Sequence, residues 1–243
     1  MTYPVLTPRA GGFRARAKHL LFTLVLAGLA SGWTPNAARA ANRTWTGNAS
    51  GFWSNPNNWS PNGVPQAGDD LIFPSSGSPF SGLSGNDLNN LAVRSLFFTR
   101  DHTLTGNALG ISAGIQAGSG TETVSVSVQC PITLMSDVDV VCAWGQGIVF
   151  NVNDLHLEGA IQLNGHHLNL YADSIDVIGS DHGNIYVSGA IAGAGEVSAM
   201  VEPRAFIEFS GSQENTFSGP MSIFTRGGTH VSFNKPEIGR AHV

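Results

Sequence analysis

Short apolar-x-apolar units dominate the chain from about residue 91 onward. Thr123-Val124-Ser125-Val126-Ser127-Val128 alternates apolar with small polar positions, the period of a half-buried strand. Val138-Asp139-Val140, Ile148-Val149-Phe150, Leu155-His156-Leu157, Ile161-Gln162-Leu163, Leu168-Asn169-Leu170, Ile175-Asp176-Val177 and Ile185-Tyr186-Val187 continue the pattern. Turn signals such as Asn164-Gly165 and Gly179-Ser180 stand between them. Strands this short suit an all-β solenoid, in which each coil contributes two or three brief strands and stacks on the coil before it. At about 20–25 residues per coil, residues 76–237 predict roughly seven coils. A β-sandwich or jelly roll is the alternative that short, evenly spaced strands also allow.

Residues 41–75 read differently. They hold Trp45, Phe52, Trp53, Trp59 and Phe73, with prolines at 56, 61, 65 and 74 that prevent a continuous helix. Trp45, Trp53 and Trp59 have two readings. Exposed, they are platforms for stacking on sugar rings, a carbohydrate-binding module. Buried, they plug the first coil of a solenoid, whose core and strand edge would otherwise lie open. The prolines, which cannot extend a ladder, favour the cap.

The two ends lie outside this pattern. Arg9, Arg14, Arg16 and Lys18 precede the apolar run Leu20–Leu29, and Ala38-Arg39-Ala40 has the small-x-small form of a cleavage site. The run is short of the ~20 residues that span a bilayer. Residues 1–40 therefore read as a signal peptide, with the processed chain beginning at Ala41 and the protein exported to the extracellular space or outer surface. The last six residues, 238–243, can be encoded by ATC GGA AGA GCA CAC GTC, a common sequencing-adapter string. They read as an artefact of a frame cut short at the C-terminus.

Composition sharpens the picture. Charged residues are 12% of the chain and glycine 30 of 243 residues, against about 25% and ~7% in typical domains. All seventeen acidic residues lie after residue 40, with seven of the twelve basic ones, so the processed chain carries a net charge of −10. Such a surface repels phosphate backbones and excludes nucleic-acid binding. Cys130 and Cys142 are an even pair in an exported chain. They are either one disulfide or two small buried hydrophobes.

Residues 189–236 carry a resemblance. Gly189–Gly195, Ile207-Glu208-Phe209-Ser210-Gly211, Asn215-Thr216-Phe217-Ser218-Gly219 and Gly227–Lys235 follow in order the turn, strand, "N-T-[YF]-[ST]-G" and "G-G-T-L" segments of a known family. The stretch resembles the autotransporter-associated β-strand repeat of bacterial surface proteins. His230, where the family has leucine, and the polar stretch Glu202–Arg204 depart from its pattern. The tryptophan spacing from Trp45 to Trp59, with Pro65–Phe73, is similar to the opening segment that often precedes such repeats. The resemblance implies a right-handed parallel β-helix, a secreted or surface location and no catalytic activity. It makes the chain a passenger-like stalk, adhesin or matrix protein whose partners are glycans or other surface proteins.

Some parallel β-helices degrade polysaccharides, so a lyase or hydrolase is the alternative function. A hydrolase needs two carboxyl groups facing one groove. Asp69-Asp70 is the only adjacent pair, and neighbours on an extended chain face opposite ways, which makes it a solvated or turn-forming pair. Asp137 and Asp139 share a strand face, too few oxygens for a firm Ca²⁺ site. Asp181-His182-Gly183 and Gly110-Ile111-Ser112-Ala113-Gly114 are read as turns. The latter spells a nucleophile elbow but lacks the helix that must follow one. His166-His167 lacks a third zinc ligand. No catalytic residue, metal or cofactor is expected.

Overall fold

Every regular element but one is a β-strand among the residues described by the computed structural model, 40–74, 80, 82–118, 123–143, 152–174, 182–227 and 229–235. The exception is a single 3-10 turn at Pro56–Asn58. The signal segment up to residue 39, the tail at 238–243, the expected strands at 148–150 and 175–177, and Asp176, Gly179-Ser180, Asp181 and Gly228 lie outside the described residues. No helix among the described residues is long and apolar enough to cross a membrane.

In chain order the strands are β1 (Asn42–Trp45), β2 (Trp59–Ser60), β3 (Asp70–Phe73), β4 (Leu83–Asn86), β5 (Leu91–Phe98), β6 (His102–Gly106) and β7 (Leu109–Ala117). Then come β8 (Ser125–Val128), β9 (Ile132–Leu134), β10 (Val138–Cys142), β11 (Val152–Leu157), β12 (Ile161–Gln162) and β13 (His167–Ala172). The last are β14 (His182–Val187), β15 (Ile191–Gly193), β16 (Glu196–Val201), β17 (Ile207–Phe209), β18 (Thr216–Phe217), β19 (Met221–Thr225) and β20 (Val231–Phe233).

Apart from β2, which pairs antiparallel with β1, these strands make two sheets and three parallel ladders. One sheet is the first ladder, β4-β6-β8-β11-β14-β17-β20. The other sheet holds the remaining two, joined through the long strands β5 and β7. The start of β7 leads to β9, β12, β15 and β18. Its end leads to β10, β13, β16 and β19. From β8 onward the chain visits the three ladders in rotation, β8-β9-β10, β11-β12-β13, β14-β15-β16 and β17-β18-β19. From β8 to β20, register partners on neighbouring strands stand 22 to 30 residues apart, as in Ile185 with Ile207 and Leu155 with Ile185.

Period-two alternation becomes columns when parallel strands stack in register. Val126, Leu155, Ile185, Ile207 and Val231 align on the first ladder. Leu109, Ile132, Ile161 and Ile191 align on the second. Leu71, Leu96, Ile115, Val140, Leu170 and Ala199 align on the third. All but Val231 are buried in one continuous core, against which Val231 packs. Buried asparagines near strand starts tie neighbouring segments together. Asn153 accepts from Val124 N and donates to Ala143 O, while Asn184 accepts from Phe206 N and Asn215 from Ile191 N. The turn between β12 and β13 uses Asn164 and Gly165 at φ 54° and 86°, a left-handed pair that Asn-Gly adopts at low cost.

Residues 41–74 are built onto the same core. β1 pairs in parallel with β3, and β3 with β5, so the block extends the third ladder. Gly85 N donates to Gly51 O, and Trp53 N to Gly85 O, so the same block covers the free edge of β4.

Candidate functional site

A recess lies on the side of the third ladder turned away from the core. It is a groove of about 520 Å³ lined by Asp70, Arg94, Ser95, Phe97, Gln116 and Asp139, among others. Register explains its chemistry. Asp70, Ser95, Gly114, Asp139, Asn169, Ser198 and Ser222 align across successive strands as a polar row. Two residues along each strand, Ile72, Phe97, Gln116, Val141, Tyr171, Met200 and Phe224 form a mostly apolar row beside it. Asn169 donates to Asp139 at 3.0 Å, and Asp70 is engaged by Arg94 and the Ser95 hydroxyl. Tyr171 lies between Val141 and Met200 in the apolar row, where burial and then the charge of Asp139 raise its phenol above the usual range. The arrangement presents hydroxyl, amide and carboxylate groups beside a flat apolar strip. The two carboxylates here are tied to protein partners.

The first ladder carries a smaller outward stack. The His156 and Tyr186 rings lie 4.4 Å apart and nearly parallel, and Phe206 meets Tyr186 edge-on at 5.1 Å. Burial, then the charges of Asp154 and Glu208, push the Tyr186 phenol up to about 12.

The tryptophans of the N-terminal block are not platforms. Trp45 and Trp53 are 0% exposed and Trp59 is 3%. Trp59 touches both others, at 5.0 and 5.6 Å, edge-on. Trp53 stacks on Phe73, which stacks on Phe98, carrying the aromatic contacts into the core of the third ladder. No face of these three rings is free for a sugar. Their N–H groups turn inward too: Trp45 donates to Phe80 O and Trp59 to Trp53 O.

Of the solvated or turn-forming pair expected at Asp69 and Asp70, the solvated reading is corrected, since both are buried, while Asp69 does close a turn, its N–H donating to Gln66 O. They do face opposite ways, but each meets a partner far along the chain. Asp69 is 1% exposed and accepts from Ala41 N, Arg43 Nε and Gln66 N at 2.8, 2.5 and 2.9 Å. Asp70, also buried, pairs with Arg94. The Gly110–Gly114 string is likewise no turn: it lies within β7, and Ser112 Oγ donates to Val93 O.

Cys130 and Cys142 carry free, buried thiols. Cys142 ends β10, aligned with Ala117 and Ala172 in a column of small residues. Cys130 sits just before β9. Burial pushes the Cys130 thiol up to about 12, and burial with the charge of Asp154 raises Cys142 as well. A thiol so far from ionising is a poor nucleophile. Neither is expected to react with iodoacetamide at pH 8 in the native protein, whereas both react after denaturation. Intact mass before and after guanidinium treatment reads this directly, and native labelling of either would contradict the packing.

Asp137 accepts from His167 N at 3.0 Å, and His166 Nδ1 lies 3.8 Å from it. His167 Nε2 is 3.6 Å from Glu196. Among the described residues no three His, Cys, Asp or Glu side chains gather as a metal site would require. Buried Lys235 was not singled out by its sequence context. Its ammonium donates to Gly189 O and Asn215 Oδ1 at 2.7 and 3.1 Å, and burial pulls its pKa down.

No protein-family model, curated protein or solved structure matches the chain.

Proposed function

We propose that the chain is the body of an exported right-handed parallel β-helix, acting without catalysis as a surface stalk, adhesin-like passenger or matrix component. The observation that carries this is the rotation of the chain through three parallel ladders, in register from β8 to β19. A right-handed course follows from the general handedness of parallel crossovers. Export rests on the pattern of residues 1–40. The resemblance of residues 189–236 to autotransporter-associated repeats supports the same reading. Its segments fall on β15, β17, β18 and β20, each one strand of a ladder. The buried Asn215 and Phe217 explain physically why an Asn-Thr-Phe sequence suits that position: the amide caps Ile191 N and the ring fills the core. Glycans or other surface proteins are the partners this reading proposes, and the polar and apolar rows of the third ladder are where they would lie.

Purified residues 41–237, incubated with plant, algal and bacterial polysaccharides, are expected to release no reducing ends and no unsaturated products. Measurable hydrolysis or elimination would overturn the non-catalytic reading in favour of a polysaccharide-active β-helix, with the groove between Asp70 and Asp139 as the place to look.

A further inference from the structure

Among the described residues, Ala41 is the first whose backbone is hydrogen-bonded into the fold. Its carbonyl accepts from Asp70 N at 2.9 Å, and its N–H donates to Asp69 Oδ1 at 2.8 Å. Ala40, one residue earlier, is exposed. The other oxygen of Asp69 is taken by Arg43 Nε and Gln66 N, and among the described residues the Ala41 nitrogen is the hydrogen-bond donor at Oδ1. This carboxylate is almost fully buried at the base of the N-terminal block. The sequence places a processing site at the peptide bond before this nitrogen, after Ala38-Arg39-Ala40.

We propose that cleavage between Ala40 and Ala41 turns a neutral amide donor into an α-ammonium held by Asp69, so that processing completes the N-terminal block electrostatically. The inference rests on the export reading above. Cleavage is hydrolysis: water adds across the Ala40–Ala41 amide, Ala40 leaves as a carboxylate, and the Ala41 nitrogen takes up protons as an ammonium. One of its N–H bonds stays donated to Asp69 Oδ1. The others face water, because Ala41 is only half-buried. A charge-assisted hydrogen bond to a buried carboxylate is about twice as strong as a neutral one. Among the described residues, Arg43 is the cation paired with the buried Asp69 before cleavage, and processing adds the α-ammonium as a second. Asp70, next in sequence to Asp69, is paired with Arg94. The precursor thus makes the same hydrogen bond with less energy, and the processed chain locks β1 against β3.

The test compares the processed chain 41–243, released from a cleavable fusion, with the same chain carrying Ala38–Ala40, each with and without Asp69→Asn. The free-amine chain is expected to melt higher than the extended one by about 2–4 °C at pH 6.5, and D69N is expected to abolish that gap. The sign with pH is fixed. Asp69 raises the pKa of the amine above the ordinary ~7.7–8.0. The gap is therefore complete below that range and shrinks as pH rises through the raised value. Equal melting of the two wild-type chains, or a gap that survives D69N, overturns the proposal. If D69N does not fold, NMR titration of the isotopically methylated α-amine decides, and a value at or below the ordinary range overturns it. N-terminal sequencing of the full-length chain secreted by a bacterial host must return Ala41. Absence of cleavage sinks the export reading as well, whereas correct cleavage with no melting gap sinks this inference alone.

Discussion

Replacing Trp53 and Trp59 together by Ala is expected to lower the melting temperature by about 10–20 °C, or to abolish cooperative melting. Each large-to-small change at a fully packed aromatic costs roughly 3–5 kcal/mol, and each kcal/mol moves the midpoint of a chain this size by about 2–4 °C. The rings touch, at 5.6 Å, so the pair will cost less than the two single changes added. The loss spreads beyond the block. Trp53 stacks on Phe73 and Phe73 on Phe98, so a void at 53 loosens the first strands of the third ladder. A control separates shape from polarity. Trp53 Nε1 is buried without a partner, so Trp53→Phe removes an uncompensated donor and is expected to cost far less than Trp53→Ala. Differential scanning calorimetry of the three variants reads both effects. A double-alanine variant with unchanged melting and lost glycan affinity would restore the sugar-binding reading of this block.

The strands were legible because burial in this molecule follows alternation. Val126, Leu155 and Ile185 each sit in a two-residue pattern, and the columns they form require only that strands stack in register. The split of one sheet into two ladders was not legible. It depends on where β5 and β7 bend, including the register shift between Val93 and Ser95, and no local pattern marks that. The tryptophans show a different limit. Aromatic, proline-rich composition is common to a plug and to a sugar platform, and only the position of the rings against Phe73 decides. Asp69 and Asp70 were readable as facing opposite ways. Their partners, Arg43 and Arg94, lie 26 and 24 residues away, and such pairing arises from strand order rather than from sequence spacing. The groove was missed for the same reason: its polar row takes one residue from each strand, so no contiguous motif spells it.

Gly189→Ala is expected to be among the most damaging single-methyl additions in the chain, although its backbone conformation suits any residue. The reason is the closeness of neighbouring strands at one corner. A Cβ at Gly189 would stand 2.0 Å from Gly159 O, and a Cβ at Gly159 would stand 2.1 Å from Cys130 O. Cys130, Gly159 and Gly189 thus follow one another where the first ladder turns into the second, with carbonyls packed where side chains would be. Backbone oxygens locked between Leu157 and Ile161 on one side and Val187 and Ile191 on the other cannot give way without parting the strands. The cost should lie at or above the upper end of the ~1–3 kcal/mol seen when a packed interior is overfilled. Gly165→Ala makes the contrast. Gly165 has nothing within 4 Å, but its φ of 86° is left-handed, so the added methyl meets only backbone strain of roughly 1–2 kcal/mol. Urea melts should therefore rank Gly189→Ala and Gly159→Ala well below Gly165→Ala. Hydrogen exchange should localise the damage in the first two to the amides of Gly159, Ile161, Ser188 and Gly189, which donate to Leu157 O, Ala190 O and Val128 O across this corner. Equal stability of the three variants would mean that the strands do not approach as closely as this register demands, and the stacking of β11 on β14 would have to be redrawn.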